Sequence, residues 1–297
     1  YLDTILQSIL QTFSQSHDLQ SLINLAKTFH NILATKDLMI VSNNQEVNQL
    51  LEQQGWSGKL YNGPGDHVLV VDSNVGWNKV DRNIVRETEY IIDLSVPETP
   101  ASTLILNYTN KSATELEVAL GDGLGNTVSM STVSVPKCDI QWQTSVPLTW
   151  RESLLYKYLT EGCYWNFIRV YVPHSSKLLS GTSLPLPVNS VANTIGLLQA
   201  ESDTLEARTE SGATLFSGLF NIDPGQSRQL RLNYTPDPQI LEQAGGVLTY
   251  KLTLQKQPGT FERNTSVLVR IPHGYHMLLS TQQPTAIESD TLRFSFD

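Results

Sequence analysis

One short pattern occurs twice in this chain of 297 residues and constrains its fold more than any other feature. Leu104–Asn110 reads LILNYTN and Leu230–Pro236 reads LRLNYTP. Each is followed by a second matching element: IRVYVPHSSKLLS at Ile168–Ser180 and VLVRIPHGYHMLLS at Val267–Ser280, aligned through Pro173 with Pro272 and His174 with His273. Two ordered matches at different spacings identify two copies of one β-unit. Asn107 and Pro173 stand 66 positions apart and Asn233 and Pro272 stand 39 apart, so the first copy carries 27 extra residues between Lys111 and Trp165.

Ahead of the copies the pattern is helical. Leu2, Ile5, Leu6, Ile9, Leu10 and Phe13 keep the spacing of one apolar helix face, and Leu19 to Leu33 repeat it after caps at Ser16 and Asp18. The segment DLMIVS (37–42) reads as a short strand, and Asn44 to Gln54 as a third helix stopped at Gly55. A β-branched run from His67 to Val71, a polar loop from Asp72 to Asp81 and a period-2 stretch ending near Val96 follow. Beyond that point short alternating runs are separated by Pro, Gly, Asn and Asp, the mark of an all-β region. The expected organisation is mainly β with an N-terminal α-rich part. Residues 1–86 would be the remainder of an α/β domain, 87–187 a first β-sandwich with an aromatic insertion, and 188–297 a second. The second and third parts would be tandem immunoglobulin-like sandwiches, joined by the Ser/Pro/Leu-rich stretch 178–193.

The net charge is −9, with no basic face visible in the sequence. That excludes a nucleic-acid partner, whose recognition rests on clustered Lys and Arg, and disfavours anionic membrane surfaces. No apolar run approaches the roughly 20 residues of a membrane span. The chain begins at Tyr1, inside an amphipathic pattern, so an upstream segment with any membrane anchor is expected to precede it. Charged residues are only 16% of the chain, and its surface must lean on Ser, Thr, Asn and Gln. The two cysteines, Cys138 and Cys163, both fall in the first copy. They read either as a disulfide closing a loop of about 25 residues, which constrains the unfolded chain by about 3 kcal/mol, or as two buried free thiols.

Two groups of residues are candidates for function. The insertion carries Trp142, Trp150, Tyr156, Tyr158, Tyr164 and Trp165, a load that suits either a sugar-stacking or partner-binding loop or a cap on the end of a sandwich. The loop VVDSNVGWNKVDR gathers Asp72, Asn74, Asn78, Lys79 and Asp81. Its oxygens have a spacing that would suit Ca²⁺, though without the EF-hand order, and Asx turns explain the same residues without metal. GDGLGN (121–126) lacks the phosphate-loop lysine and reads as a hairpin turn, and HGYH (273–276) reads as a surface loop. No nucleophile elbow or acid–base pair stands out, so no catalytic residue, cofactor or metal is assigned.

Four blocks, KDLMIVSNNQEVNQLLEQQGWSG (Lys36–Gly58), HVLVVDSNVGWNKVDRNI (His67–Ile84), CYWNFIRVYVPHSSKLL (Cys163–Leu179) and YKLTLQKQPGT (Tyr250–Thr260), closely resemble a bacterial family known as domain of unknown function 4012. The resemblance implies a membrane-anchored protein facing outward, with a membrane helix and an α/β region upstream, and no established activity. The polar residues of the Asp72–Asp81 loop are part of it. The resulting expectation is a non-catalytic extracytoplasmic cell-surface protein acting in adhesion, scaffolding or assembly. Its partners would be other envelope proteins or cell-wall glycans, with membrane contact only through the upstream anchor. The alternatives are an envelope enzyme transferring a glycopolymer, with its site mostly upstream, and a carbohydrate-binding module.

Overall fold

A computed structural model describes residues 4, 7, 8, 11, 19–76, 78–121, 127–135, 137, 138, 160–186, 204–260 and 264–296. The chain divides into two compact units: residues 1–61 with 256–261, and residues 62–255 with 262–297. In the first unit, α1 (Leu19–Ala34) and α2 (Gln45–Gln53) follow the expected helical pattern. Asn44 caps α2, its side chain accepting from the backbone N–H groups of Glu46 and Val47. The stretch 37–42 forms no strand; Ile40 bonds through its N–H to the Trp56 carbonyl, and Asn48 closes onto both backbone groups of Ser42. Of the first expected helix only residues 4, 7, 8 and 11 are described, and all four are helical.

The second unit is a two-layer β-sandwich. One sheet has the order β13-β1-β6-β9-β8, built from β1 (Asp66–Asn74), β6 (Tyr164–Val172), β8 (Glu206–Glu210), β9 (Ala213–Ile222) and β13 (Leu252–Gln255). The other runs β15-β16-β14-β2-β3-β10-β7. It comprises β2 (Ile84–Asp93), β3 (Ala101–Asn110), β7 (Lys177–Gly181), β10 (Ser227–Thr235), β14 (Thr265–Arg270), β15 (Ala286–Glu288) and β16 (Thr291–Phe296). Two hairpins stand apart from both sheets, β4 (Glu115–Gly121) with β5 (Thr127–Ser134), and β11 (Leu241–Ala244) with β12 (Val247–Tyr250). The first of these brackets the GDGLGN turn, as expected, although residues 122–126 lie outside the described residues.

The chain is therefore mainly β with an N-terminal α part, but its two β-copies take a different form from sandwiches in tandem. Strands from 87–187 and from 188–297 contribute to both sheets, and β1, which the sequence pattern places in the N-terminal part, lies between β13 and β6. One core cluster takes Val68 and Val70 from β1, Ile168 and Val170 from β6 and Phe216 and Phe220 from β9. From the facing sheet it takes Ile92, Leu104, Leu106, Leu230, Leu232, Val267 and Val269. The unit boundary accordingly falls after Tyr61, not at 86/87 or 187/188.

The repeated LNYT strands explain the interleaving. β3 and β10 are antiparallel neighbours in which Leu104 faces Leu232 and Leu106 faces Leu230. Exchanging one copy for the other maps each of these pairs onto the other, so the copies meet across a local pseudo-twofold axis. Alternation then turns the leucines and tyrosines of both strands into the core and both motif asparagines outward. The symmetry is local to this pair, since β6 and β14, which carry the second repeated element, lie in different sheets. Ser175 and Gly274 occupy the same left-handed corner (φ 69° and 85°) after the shared Pro-His, and the next N–H returns to the proline carbonyl in both. In the first copy the chain goes on as β7 and pairs with β10. In the second, residues 276–280 take no regular structure and have no ladder partner among the described residues. The place that symmetry would give them, alongside β3, is held by β2.

Candidate functional site

The inner face of β1 carries Asp66, Val68, Val70 and Asp72. Two valines in the core thus separate two carboxylates about 20 Å apart along the strand. Each carboxylate reaches across to the facing sheet, and each organises one end of the sandwich.

At the first end Asp66 is fully buried. Its Oδ2 accepts hydrogen bonds from the hydroxyls of Tyr90 and Tyr250, both at 2.6 Å. Tyr90 also meets Ser102 Oγ at 2.9 Å, and the Tyr234 hydroxyl donates to the Tyr90 oxygen at 3.3 Å. Burial raises the Asp66 carboxyl from its ordinary range to about 6, against the pull of the two tyrosine donors. Burial also lowers the neighbouring His67 to about 4, and it holds Tyr90 and Tyr250 well above the usual phenol range. A raised carboxyl is a common mark of a general acid, but this one has no exposed surface and acts as a bolt between the sheets.

At the other end Asp72 is closed in by four strands. Its Oδ1 accepts from the Tyr108 hydroxyl and from Asn166 Nδ2, each at 2.7 Å, and its Oδ2 pairs with the Arg86 guanidinium. Burial opposes the Arg86 charge, and the adjacent Asp72 carboxylate together with Tyr108 and Tyr164 more than offsets this, leaving the guanidinium more firmly protonated than usual. Arg169 bonds Ser73 Oγ at 3.0 Å on the opposite face of β1. Both Asp72 oxygens are engaged, although the buried Nε atoms of Arg86 and Arg169 have no hydrogen-bond partner among the described residues, so Asp72 is a structural ion-pair member.

The loop after β1 continues the same network. Asn74 Nδ2 donates to Asn78 Oδ1 at 2.8 Å and to Asp81 Oδ1 at 3.0 Å, while Asn74 Oδ1 accepts the Gly76 N–H at 3.0 Å. The oxygens whose spacing invited Ca²⁺ thus converge on an amide that donates to them, the Asx-turn reading of the same residues. Asn78 Nδ2 donates to the Cys163 carbonyl at 2.9 Å. A Cβ on Gly76 would stand 3.2 Å from Asn74, Asn78 and Trp165 side chains, so a larger residue there would push these neighbours back by a few tenths of an ångström. Lys79 is exposed.

The polar loop and the aromatic insertion, far apart in sequence, therefore share one end of the sandwich. Cys138 and Cys163 are disulfide-bonded with Cα atoms 5.0 Å apart, and the Cys138 N–H donates to Asp223 Oδ1 at 2.7 Å. These three side chains lie within 4.8 Å of one another, but sulfurs bonded to each other offer no thiolate to a metal. Buried Asn110 ties the roots of the insertion to the β9–β10 turn, donating to the carbonyls of Gly162 (2.8 Å) and Ile222 (3.1 Å). Asn83 donates to the Thr160 carbonyl at 2.7 Å, and Glu161 accepts the Ala113 N–H at 2.7 Å.

Among the aromatic candidates, Trp165 is buried in β6 against the disulfide, and Tyr164 points into the main core. Both fill structure instead of presenting a ligand surface. Trp142, Trp150, Tyr156 and Tyr158 lie outside the described residues. His273 and His276 fall on an exposed turn, where His273 Nδ1 meets Asp290 at 3.2 Å. Sequence reasoning missed Asp66, Arg86, Tyr90 and Tyr250. Its usable signal was a charged residue at an inward position of an alternating strand; the tyrosine shared by both LNYT copies marks Tyr108 and Tyr234, which join the same two networks.

No family model matches the chain, and no curated protein matches it. Among solved structures, two crystal structures of a mutant two-domain M1 zinc metallopeptidase, one bound to L-tryptophan and one to L-arginine, are similar at 10% identity each. Their TM-scores are 0.27 and 0.26, with 72% of this chain and 39% of each of theirs covered. The chain thus spans under half the length of those chains, and a likeness this slight carries no argument about a site.

Proposed function

We propose that this chain is a non-catalytic, extracytoplasmic part of a cell-envelope protein of the kind its resemblance to domain of unknown function 4012 implies, with a role in scaffolding or assembly at the surface. The observation that carries this reading is the broken symmetry of the repeat. The tail that forms β7 in one copy is left in the other without a ladder partner among the described residues, with Leu278 70% and Leu279 90% exposed. Unpaired backbone beside exposed leucines can order as an added strand against a partner, a common mode of protein–protein docking. The equivalent tail already pairs antiparallel with β10, so the partner expected at 276–280 is an extended strand of another envelope protein. The disulfide supports the location, because such bonds persist in oxidising compartments.

The test is photo-crosslinking in cells from probes at Leu278 and Leu279, with Val96 as an exposed control position. A discrete crosslinked envelope protein from the first two sites, lost on Leu279→Asp while the thermal transition is unchanged, is the expected result. Crosslinks no more specific than those from Val96 would overturn the assembly role. Retention of the native disulfide under cytoplasmic reducing conditions, with no export of a full-length fusion, would overturn the location.

A further inference from the structure

The outer face of the seven-stranded sheet holds a hollow of about 200 Å³. Its lining is Leu268, Arg270, Ala286, Glu288, Thr291 and Arg293. Two cross-strand rows build it: Ala286–Arg293–Leu268 and Glu288–Thr291–Arg270. Val267, Val269 and Leu292, the alternate residues of β14 and β16, enter the core, so the residues of these rows point outward. The small side chains Ala286 and Thr291 leave the space, and Arg270, Arg293 and Glu288 wall it.

The charges around the hollow are unevenly satisfied. Arg270 is held from one side by Asp93 at 3.3 Å. Arg293 and Glu288 make no ion pair among the described residues, although they border the same space. Arg270 and Arg293 are diagonal neighbours on adjacent strands, within about 7 Å at their bases, so both guanidinium groups can reach one guest. Asp93 and Glu288 balance the two arginines in charge, so what the hollow offers is guanidinium donors and no net positive field. Planar guanidinium groups match the two oxygens of an oxyanion, and the Thr291 hydroxyl adds a donor at the floor.

We propose that this hollow binds a small ligand through an oxyanion, with Arg270 and Arg293 clamping the oxygens and Thr291 donating from below. Glu288 on the opposite rim repels a second negative charge and accepts hydrogen bonds from hydroxyl groups. A singly charged carboxylate on a hydroxylated frame, such as a sugar acid, therefore fits better than phosphate.

The test is calorimetric and NMR titration of the whole chain with glucuronate, with inorganic phosphate and with glucose as the neutral control. Saturable glucuronate binding of about millimolar affinity is expected. Arg293→Gln should weaken it at least about tenfold, as loss of a charge-assisted clamp does. Arg231→Gln removes an exposed arginine elsewhere on the same sheet and should leave it unchanged. Phosphate binding tighter than glucuronate, with the same dependence on Arg293, would support the oxyanion site and make phosphate its source. Absence of saturable binding by either anion, glucose binding as tightly as glucuronate, or equal losses in the two variants would overturn the proposal.

Discussion

Asp66 and His67 are adjacent in sequence, face opposite sides of β1 and respond to pH in opposite senses. The Asp66 carboxyl is raised to about 6 in the folded chain. Its folded pKa exceeds its unfolded one, so its contribution favours folding below about 4 and is lost as pH rises through 6. At neutral pH the loss is on the order of 3 kcal/mol, since a tenfold change in acidity is worth about 1.4 kcal/mol. The imidazole of His67 is lowered to about 4, so its contribution is present above about 6.5 and is lost as pH falls through 4. Over pH 4 to 6 the two trends oppose each other, and the native stability should vary little from this pair. Asp66→Asn should remove one side of the balance: urea denaturation should then show stability rising from pH 4 to 7, with a gain over the wild type near pH 8. An unchanged pH profile in the variant would count against the buried-carboxylate account. At the other end of β1, Arg86→Met strands the Asp72 carboxylate in a half-dry site. A loss of about 3–5 kcal/mol at pH 7 is expected, with partial recovery in the double variant Arg86→Met/Asp72→Asn.

At the scale of strands, alternation was readable and pairing was not. The leucines and tyrosines of LILNYTN and LRLNYTP mark the inward faces of β3 and β10, and the run from Asp66 to Asn74 marks a strand. Nothing in either segment says that the two copies pair with each other, because partner choice is set by contacts more than a hundred residues apart. The meeting of the Asp72–Asp81 loop with Cys163 and Trp165 was hidden in the same way, across a separation of 85 residues between Asn78 and Cys163, although composition singles out each group. The DLMIVS stretch shows the converse: a β-branched, apolar segment remained irregular because it had no ladder to join. Gly65 is a sharper case. It lies at φ +90°, and a Cβ there would approach the Lys251 carbonyl oxygen to 2.8 Å. That carbonyl accepts the Asp66 N–H at the start of the β1–β13 ladder. Gly65→Ala should therefore cost about 1–3 kcal/mol from backbone strain alone, read as a lowered chemical-denaturation midpoint. The same substitution at Gly259, where a Cβ meets nothing within 4 Å, should cost less although its φ is also positive. Reduction of Cys138–Cys163 should destabilise by about 3 kcal/mol, and the Asn110 bonds to Gly162 and Ile222 should keep the insertion roots in place.

For the molecule as a whole, an interleaved sandwich and two tandem sandwiches make opposite demands on fragments. Tandem domains each enclose a core, so either half folds when expressed alone. Here the halves share one core: β3 needs β10, β6 needs β9, and β2 needs β14, each pair crossing the 187/188 boundary. A fragment of residues 1–187 would leave Leu104, Leu106 and Ile168 without Leu230, Leu232 and Phe216, and would expose the edges of β2, β3 and β6. Neither 1–187 nor 188–297 should fold its β region alone, whereas the whole chain should lose it in one cooperative transition. Circular dichroism and near-ultraviolet melts of the three polypeptides check this, as does mixing the fragments under conditions that permit refolding. Recovery of native β signal only in the mixture is the expected outcome, because the strands that complete each sheet come from the other half. Independent cooperative melting of both fragments would mean that the sequence copies fold as separate domains.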